Sequence, residues 1–305
     1  MGKVNSESYW DDRFKDDWVE NSGDKQSQFF MNLAFEMLPD WLTKTLQKGT
    51  MTVCDWGCAE GDGTNMLARQ FPKTNFTGID FADTAIEKAN GKYKEKNLSF
   101  EAVDLLTQAY DKKFDIIFSS NVFEHFEDPW STFDKVSSFA NDVFIMMVPY
   151  KEDPDKLIPE HFHSFNEADF RFKTDNWELV YFIAKDVSRL QDTHWFGNQA
   201  MAVFVSKEFA KKFSLTIADV LIDSKIRHAI TAQQGTGNIE QMESMADEII
   251  KLRNLVEAHE GVLNSKRVKL ANKIADSTEK LFPKGSTGRK MIGGAINKVI
   301  TRNKK

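Results

Sequence analysis

The chain has 305 residues, 41% hydrophobic and 12% aromatic, enough for one sizeable domain with an appendage or for two domains. No run of 18 apolar residues occurs, which excludes a spanning helix, and the opening MGKVNSESYW lacks the apolar core of a secretory signal. Residues 236–305 carry 14 Lys/Arg against 8 Asp/Glu within a chain whose net charge is −6, so an acidic body disfavouring a nucleic-acid partner precedes a basic tail.

Residues 6–20, SESYWDDRFKDDWVE, space Tyr9, Trp10, Phe14 and Trp18 as an amphipathic helix. Residues 27–47 predict a second, with Phe30, Leu33, Ala34, Met37, Leu38 and Leu42 on one face. Strands and helices then alternate. Strands are predicted at 51–55, 75–80, 98–104, 114–120 and 142–149, with helices at 63–70, 82–95 and 129–139. Two further strands, 177–185 and 200–206, are close enough in sequence to pair antiparallel. Such alternation predicts a parallel sheet covered on both faces.

The character changes after residue 206. Residues 207–236 read as a helical linker ending in the polar stretch TAQQGTGN. Met245, Ile249, Leu252, Val256, His259 and Leu263 then follow a heptad seam, so 237–282 predicts a coiled coil and a homo-oligomer, or else an amphipathic helix packed on the body. Residues 283–305 place Met291, Ile292, Ile296, Val299 and Ile300 among lysines and arginines. That composition suits peripheral contact of 284–305 with an anionic membrane, or a disordered basic tail.

The chemistry concentrates in VCDWGCAEGDGT. Its glycines stand at 57, 61 and 63, which is not the dinucleotide spacing, and no Lys-Ser/Thr follows for a phosphate loop. Asp55 precedes the first glycine, and a carboxylate there suits a cation rather than a pyrophosphate. Asp80 and Asp104 close the next two predicted strands. Three acids thus meet the carboxyl edge where open α/β sheets bind ligands, and Asp80 has the place of a ribose-diol acceptor. Cys54 and Cys58, the chain's two cysteines, lack the partners of a zinc site and read as reduced, packed thiols.

VCDWGCAEGDGT, FTGIDFADTAIEKA and FDIIFSSNVFEHFEDP together resemble the class I S-adenosylmethionine-dependent methyltransferases, specifically over 51–150 and more loosely over 1–206. The resemblance implies a seven-stranded Rossmann-like α/β sheet of order 3-2-1-4-5-7-6, here with a C-terminal helical or coiled-coil extension. It implies S-adenosyl-L-methionine held by Asp55, Gly57, Cys58 and Gly61, by Asp80 and Phe81, and by Asp104 and Leu105. Asn121 would lie beneath the methionine portion, and Tyr9 and Trp10 would close over the cofactor.

Candidate groups for removing an acceptor's proton are Glu124 and His125 after strand four, His161 and His163 before a helix capped by Asn166, and His194 beside Trp195. His125 has a structural reading as well, because the EHF context recurs in the family whatever the substrate. No ligand spacing demands a metal. With no amino-methylation motif after strand four, the acceptor is expected to be a glycan or another small molecule. The tail makes the chain similar to bacterial surface-polysaccharide methyltransferases, cytoplasmic or peripheral on the inner membrane face, methylating a sugar hydroxyl and sometimes capping the chain end. Two other readings stand: a small-molecule methyltransferase for a quinone, lipid or nucleotide-sugar, and a non-catalytic coiled-coil scaffold.

Overall fold

The β-branched and aromatic runs all become strands of one sheet. The computed structural model describes residues 3–166, 168–170 and 174–213, and the expectations for the linker beyond 213, the coiled coil and the basic tail lie outside them. The strands are β1 (Thr52–Trp56), β2 (Asn75–Asp80), β3 (Leu98–Ala102), β4 (Phe114–Ser120), β5 (Ala140–Tyr150), β6 (Trp177–Asp186) and β7 (Asn198–Ser206). They lie in the order β3-β2-β1-β4-β5-β7-β6. β1 pairs parallel with β2 and β4, β2 with β3, and β4 with β5, while β7 runs antiparallel to both β5 and β6. This is the fold the motifs imply.

Helices α1 (Glu7–Asp16), α2 (Gly23–Met37) and α3 (Asp40–Lys48) precede the sheet. The single helix expected over 27–47 is two, because Pro39 stands between them. Proline pushes the residue before it out of the helical region, and Leu38 accordingly sits at φ −59°, ψ 131°. α4 (Asp62–Gln70), α5 (Asp83–Lys92) and α6 (Pro129–Ser137) connect strands, and α7 (Lys207–Phe213) follows β7. The helix expected after Asn166 is a turn among the described residues, although its capping bonds form: the Asn166 side chain accepts from the Ala168 amide at 2.9 Å and Asp169 accepts from the Asn166 amide at 2.7 Å. β3 stops at Ala102, so Asp104 lies two residues past the strand that it was expected to close.

Phenylalanine fills the core. Phe133 of α6 packs against Phe144 of β5 at 4.8 Å and Phe204 of β7 at 5.1 Å between ring centroids, and all three rings are fully buried. Truncating such a ring typically costs about 3–5 kcal/mol. α1 is tied to the body by polar contacts. Asp11 accepts from the Thr84 amide at 3.0 Å, capping the first turn of α5 from across the fold, and Lys88 reaches both the Phe14 carbonyl and Glu60. Among the described residues, no helix is long and apolar enough to cross a membrane.

Candidate active site

At the end of β1 the backbone turns sharply. Gly57 has φ +78°, and its amide donates to the Ile79 carbonyl at 2.8 Å. A Cβ built there would stand 2.4 Å from Cγ2 of Val122, in the loop after β4. Gly61, at φ +81°, caps α4, and a Cβ on it would meet the Phe100 ring at 2.5 Å. Glycine is required at both positions by conformation and by space.

Two buried carboxylates flank this turn. Asp55 accepts from the Thr64 hydroxyl at 2.6 Å, and burial pushes its pKa up to about 7, opposed by that hydrogen bond and reinforced by the charge of Asp80. Asp80 accepts from the amides of Ala59 at 2.9 Å and Ala82 at 3.0 Å, and burial still holds its pKa above the ordinary value. Ala59 itself lies at φ +51°, a strained setting for a non-glycine residue. Burial raises both cysteine thiols well above their usual range, so neither is a thiolate near neutral pH.

A cleft of ≈ 510 Å³ opens over this edge. Asp55, Gly57, Cys58, Asp80, Phe81 and Asp104 line it. Asn121, Glu124, His125 and His161 line it as well, with Trp10 from α1 and Trp195 from the β6–β7 loop. Asn121 sits at φ +55°, with its side-chain oxygen accepting from Gln199 at 3.0 Å. The fold therefore brings most of the expected residues to one cavity.

Five expected residues lie elsewhere among the described contacts. Tyr9 turns its hydroxyl onto Glu160 at 2.5 Å while its neighbour Trp10 faces the cleft. Gly61 packs beneath Phe100, and Leu105 is buried in the core, leaving Leu106 to line the wall. His163 bonds Asp169 at 2.8 Å and packs its ring on Phe165. His194 lies against Phe29, with ring centroids 5.8 Å apart. In both histidine segments another side chain, His161 or Trp195, lines the cleft instead.

The second half of the site is braced by groups that the sequence did not single out. The Glu124 carbonyl accepts from the amides of Phe162 and His163, clamping the 159–163 segment against the loop after β4. Glu152 holds Nδ1 of His161 at 2.9 Å from both its oxygens. The Glu160 carbonyl holds Nδ1 of His125 at 2.8 Å. Burial lowers the His125 pKa to about 4, so that imidazole is neutral near pH 7. Burial also depresses His161, but the Glu152 hydrogen bond and the charges of Glu124 and Glu152 outweigh it, and its pKa lies above the ordinary value. Burial drives Glu124 up to about 8. Glu152 and Glu160 carry no motif, and only the tertiary contacts mark them out.

Residues 47–179 match the family model described as Methyltransferase domain. The match falls on the strands and loops that build the cleft. Over 96 residues, the chain is 31% identical to a malonyl-[acyl-carrier protein] O-methyltransferase of Acetivibrio thermocellus, a match covering 31% of this chain and 34% of the relative. Over 117 residues it is 27% identical to (S)-coclaurine N-methyltransferase of Papaver somniferum, covering 37% of this chain and 33% of that protein. The chain thus spans about a third of the length of these curated relatives. The crystal structure of magnesium protoporphyrin IX methyltransferase from Synechocystis PCC 6803 with bound SAH superposes with TM-score 0.51 at 16% identity, over 65% of this chain and 98% of that one. The fold is the Rossmann-like methyltransferase fold.

The cleft fits the cofactor that the resemblance implies. Gly57 lines the cleft beside Asp55 and Cys58, at a turn that glycine adopts without strain. Asp55 is a buried carboxylate in want of a positive partner, and Asp80 keeps acceptor capacity beside its two amide bonds. A ligand with a cationic end and a diol suits that donor and acceptor set.

Proposed function

We propose that the chain is an S-adenosylmethionine-dependent O-methyltransferase acting on a hydroxyl of a small polar acceptor, a sugar hydroxyl in the narrower reading. The observation that carries the cofactor is the pair of buried acids, Asp55 and Asp80, lining one cleft with the left-handed turn at Gly57 between them in sequence. When bound, S-adenosylmethionine supplies an electrophilic sulfonium methyl. Asp55 stands toward its cationic portion, Asp80 accepts from the ribose hydroxyls, and Asp104 lies at the adenine end. Trp10 of α1 lines the cleft, where it would help to exclude water from the bound cofactor.

The relatives differ in acceptor by name, so the acceptor end must speak for itself. A malonyl carboxylate needs no proton removed before methylation, whereas a hydroxyl does. This chain gathers Glu124, His125 and His161 at the acceptor end, with Trp195 as an aromatic wall. Such groups serve a hydroxyl and are superfluous for a carboxylate.

Calorimetry with S-adenosylmethionine tests the cofactor assignment. Asp80→Asn should weaken binding by roughly 1.5–3 kcal/mol, the scale of a hydrogen bond to a charged group. A methyl-transfer assay against sugars, nucleotide-sugars, quinols and a malonyl thioester tests the acceptor. Transfer to the thioester alone overturns the hydroxyl reading. Absence of cofactor binding at about millimolar concentration overturns the whole proposal.

A further inference from the structure

We infer that Glu124, His125 and His161 are the ligands of one divalent transition-metal ion, bound at the acceptor end of the cleft. One donor atom from each of the three lies within 4.8 Å of the others. Donors around a bound ion with bonds of about 2.0–2.2 Å stand closer than that, and small side-chain rotations close the gap.

Three independent features favour a ligand set over a casual cluster. First, both imidazoles are already anchored at Nδ1, His161 by the Glu152 carboxylate and His125 by the Glu160 carbonyl. That leaves Nε2 as the coordinating nitrogen on each ring, with the outer-shell partner that metal-bound histidines characteristically have. Second, Glu124 is 1% exposed, and its Oε2 has no hydrogen-bond partner among the described residues. A buried carboxylate oxygen without a donor is costly, and a cation supplies what the surrounding protein does not. Third, the rings cannot easily swing away. Trp10 packs edge-on against His125 at 5.2 Å, Trp195 stacks on His161 at 5.6 Å, and the two imidazoles meet at 5.4 Å.

Two imidazoles and one carboxylate select borderline ions such as Zn²⁺, Co²⁺, Fe²⁺ or Mn²⁺, whereas Mg²⁺ and Ca²⁺ ask for oxygen ligands. Three protein ligands leave open positions. The binding stands by itself, but its role rests on the methyltransferase reading. There an acceptor hydroxyl occupies an open position and its O–H bond becomes acidic. The proton passes to solvent, the oxygen lone pair forms the O–CH₃ bond, and the electron pair of the broken S–CH₃ bond stays on sulfur.

The test uses the full chain, stripped with chelator and titrated with Co²⁺ alone. Visible d–d absorption reports coordination and calorimetry reports stoichiometry. One ion per chain is expected. His125→Gln and His161→Gln should each weaken binding by at least about a hundredfold, and Glu152→Gln by about ten- to a hundredfold. His163→Gln should leave it unchanged, because that ring pairs with Asp169 away from the cleft. Circular dichroism on every variant confirms that the fold persists. No Co²⁺ binding by the unmodified chain at up to about millimolar ion overturns the site without reference to any variant. Full binding in folded His125→Gln and His161→Gln also overturns it. S-adenosylmethionine binding is measured on the same samples. Its absence beside intact Co²⁺ binding would sink the methyltransferase reading and leave the metal site standing.

Discussion

Replacing Gly57 by alanine attacks the hinge between β1 and the cleft. An L-residue at φ +78° carries a backbone penalty of about 1–2 kcal/mol. The new Cβ would lie 2.4 Å from Cγ2 of Val122, 3.3 Å from Cγ1 and 3.4 Å from Cβ, well inside an ordinary carbon–carbon contact at the first of these. Val122 is β-branched and stiff at χ1, so it cannot turn the offending methyl away cheaply. Overpacking of this kind adds about 1–3 kcal/mol, bringing the expected loss to about 2–5 kcal/mol. Urea unfolding should show it as a lower midpoint at unchanged slope. Gly57→Ala combined with Val122→Ala removes the clash and keeps the backbone penalty. The double-mutant cycle should therefore recover at least about 1 kcal/mol. A single-variant loss below about 1 kcal/mol, or strict additivity in the cycle, would refute the steric argument.

Asp55 gives a pH signature. Its carboxyl keeps a proton up to about pH 7 in the free protein, so below that pH a cationic cofactor must displace the proton to bind. Affinity for S-adenosylmethionine should climb by up to about tenfold per pH unit between about pH 5 and pH 7 and then flatten. Calorimetry in buffers of different ionisation heat counts the released proton, and a flat profile without proton release would contradict the assignment. The Glu160 pKa is shifted the other way, and its effect likewise grows with rising pH. Burial raises its pKa, but the Tyr9 hydroxyl and the Arg13 charge outweigh it and leave the group below its ordinary value. Its contribution to holding α1 is thus present above the unfolded pKa and is lost as pH falls through the folded one. Glu160→Gln should mimic the acid state at neutral pH, with faster hydrogen exchange in α1 and unchanged protection in β4 and β5; equal α1 exchange in both proteins would count against this anchoring role.

The strands were readable because burial on both faces forces near-continuous apolar runs, as in VFIMMV of β5, and the sequence pattern records that demand directly. Helix limits were less so. The apolar stripe continues across Pro39 although the backbone cannot, and Asn166 carries a capping signature without a helix among the described residues. The convergence of Asp55, Gly57 and Asp80 on the cleft was legible for a related reason: the acids and glycines follow successive strands of a parallel sheet, so sequence order translates almost directly into position along one edge.

The cluster of Glu124, His125 and His161 shows the limit of that translation. Chain position alone determined that Asp55, Gly57 and Asp80 would converge, because parallel strands deliver their carboxyl ends to the same place. Nothing local determined that His161 rather than His163 would face the cleft. That choice was made by the Phe162 and His163 amides bonding the Glu124 carbonyl, contacts that join segments more than thirty residues apart. Glu152 and Glu160 acquire meaning only through the imidazoles they hold. Buried carboxylates and imidazoles take their protonation and orientation from the dielectric and the hydrogen-bond partners around them, and those exist only once the chain has folded.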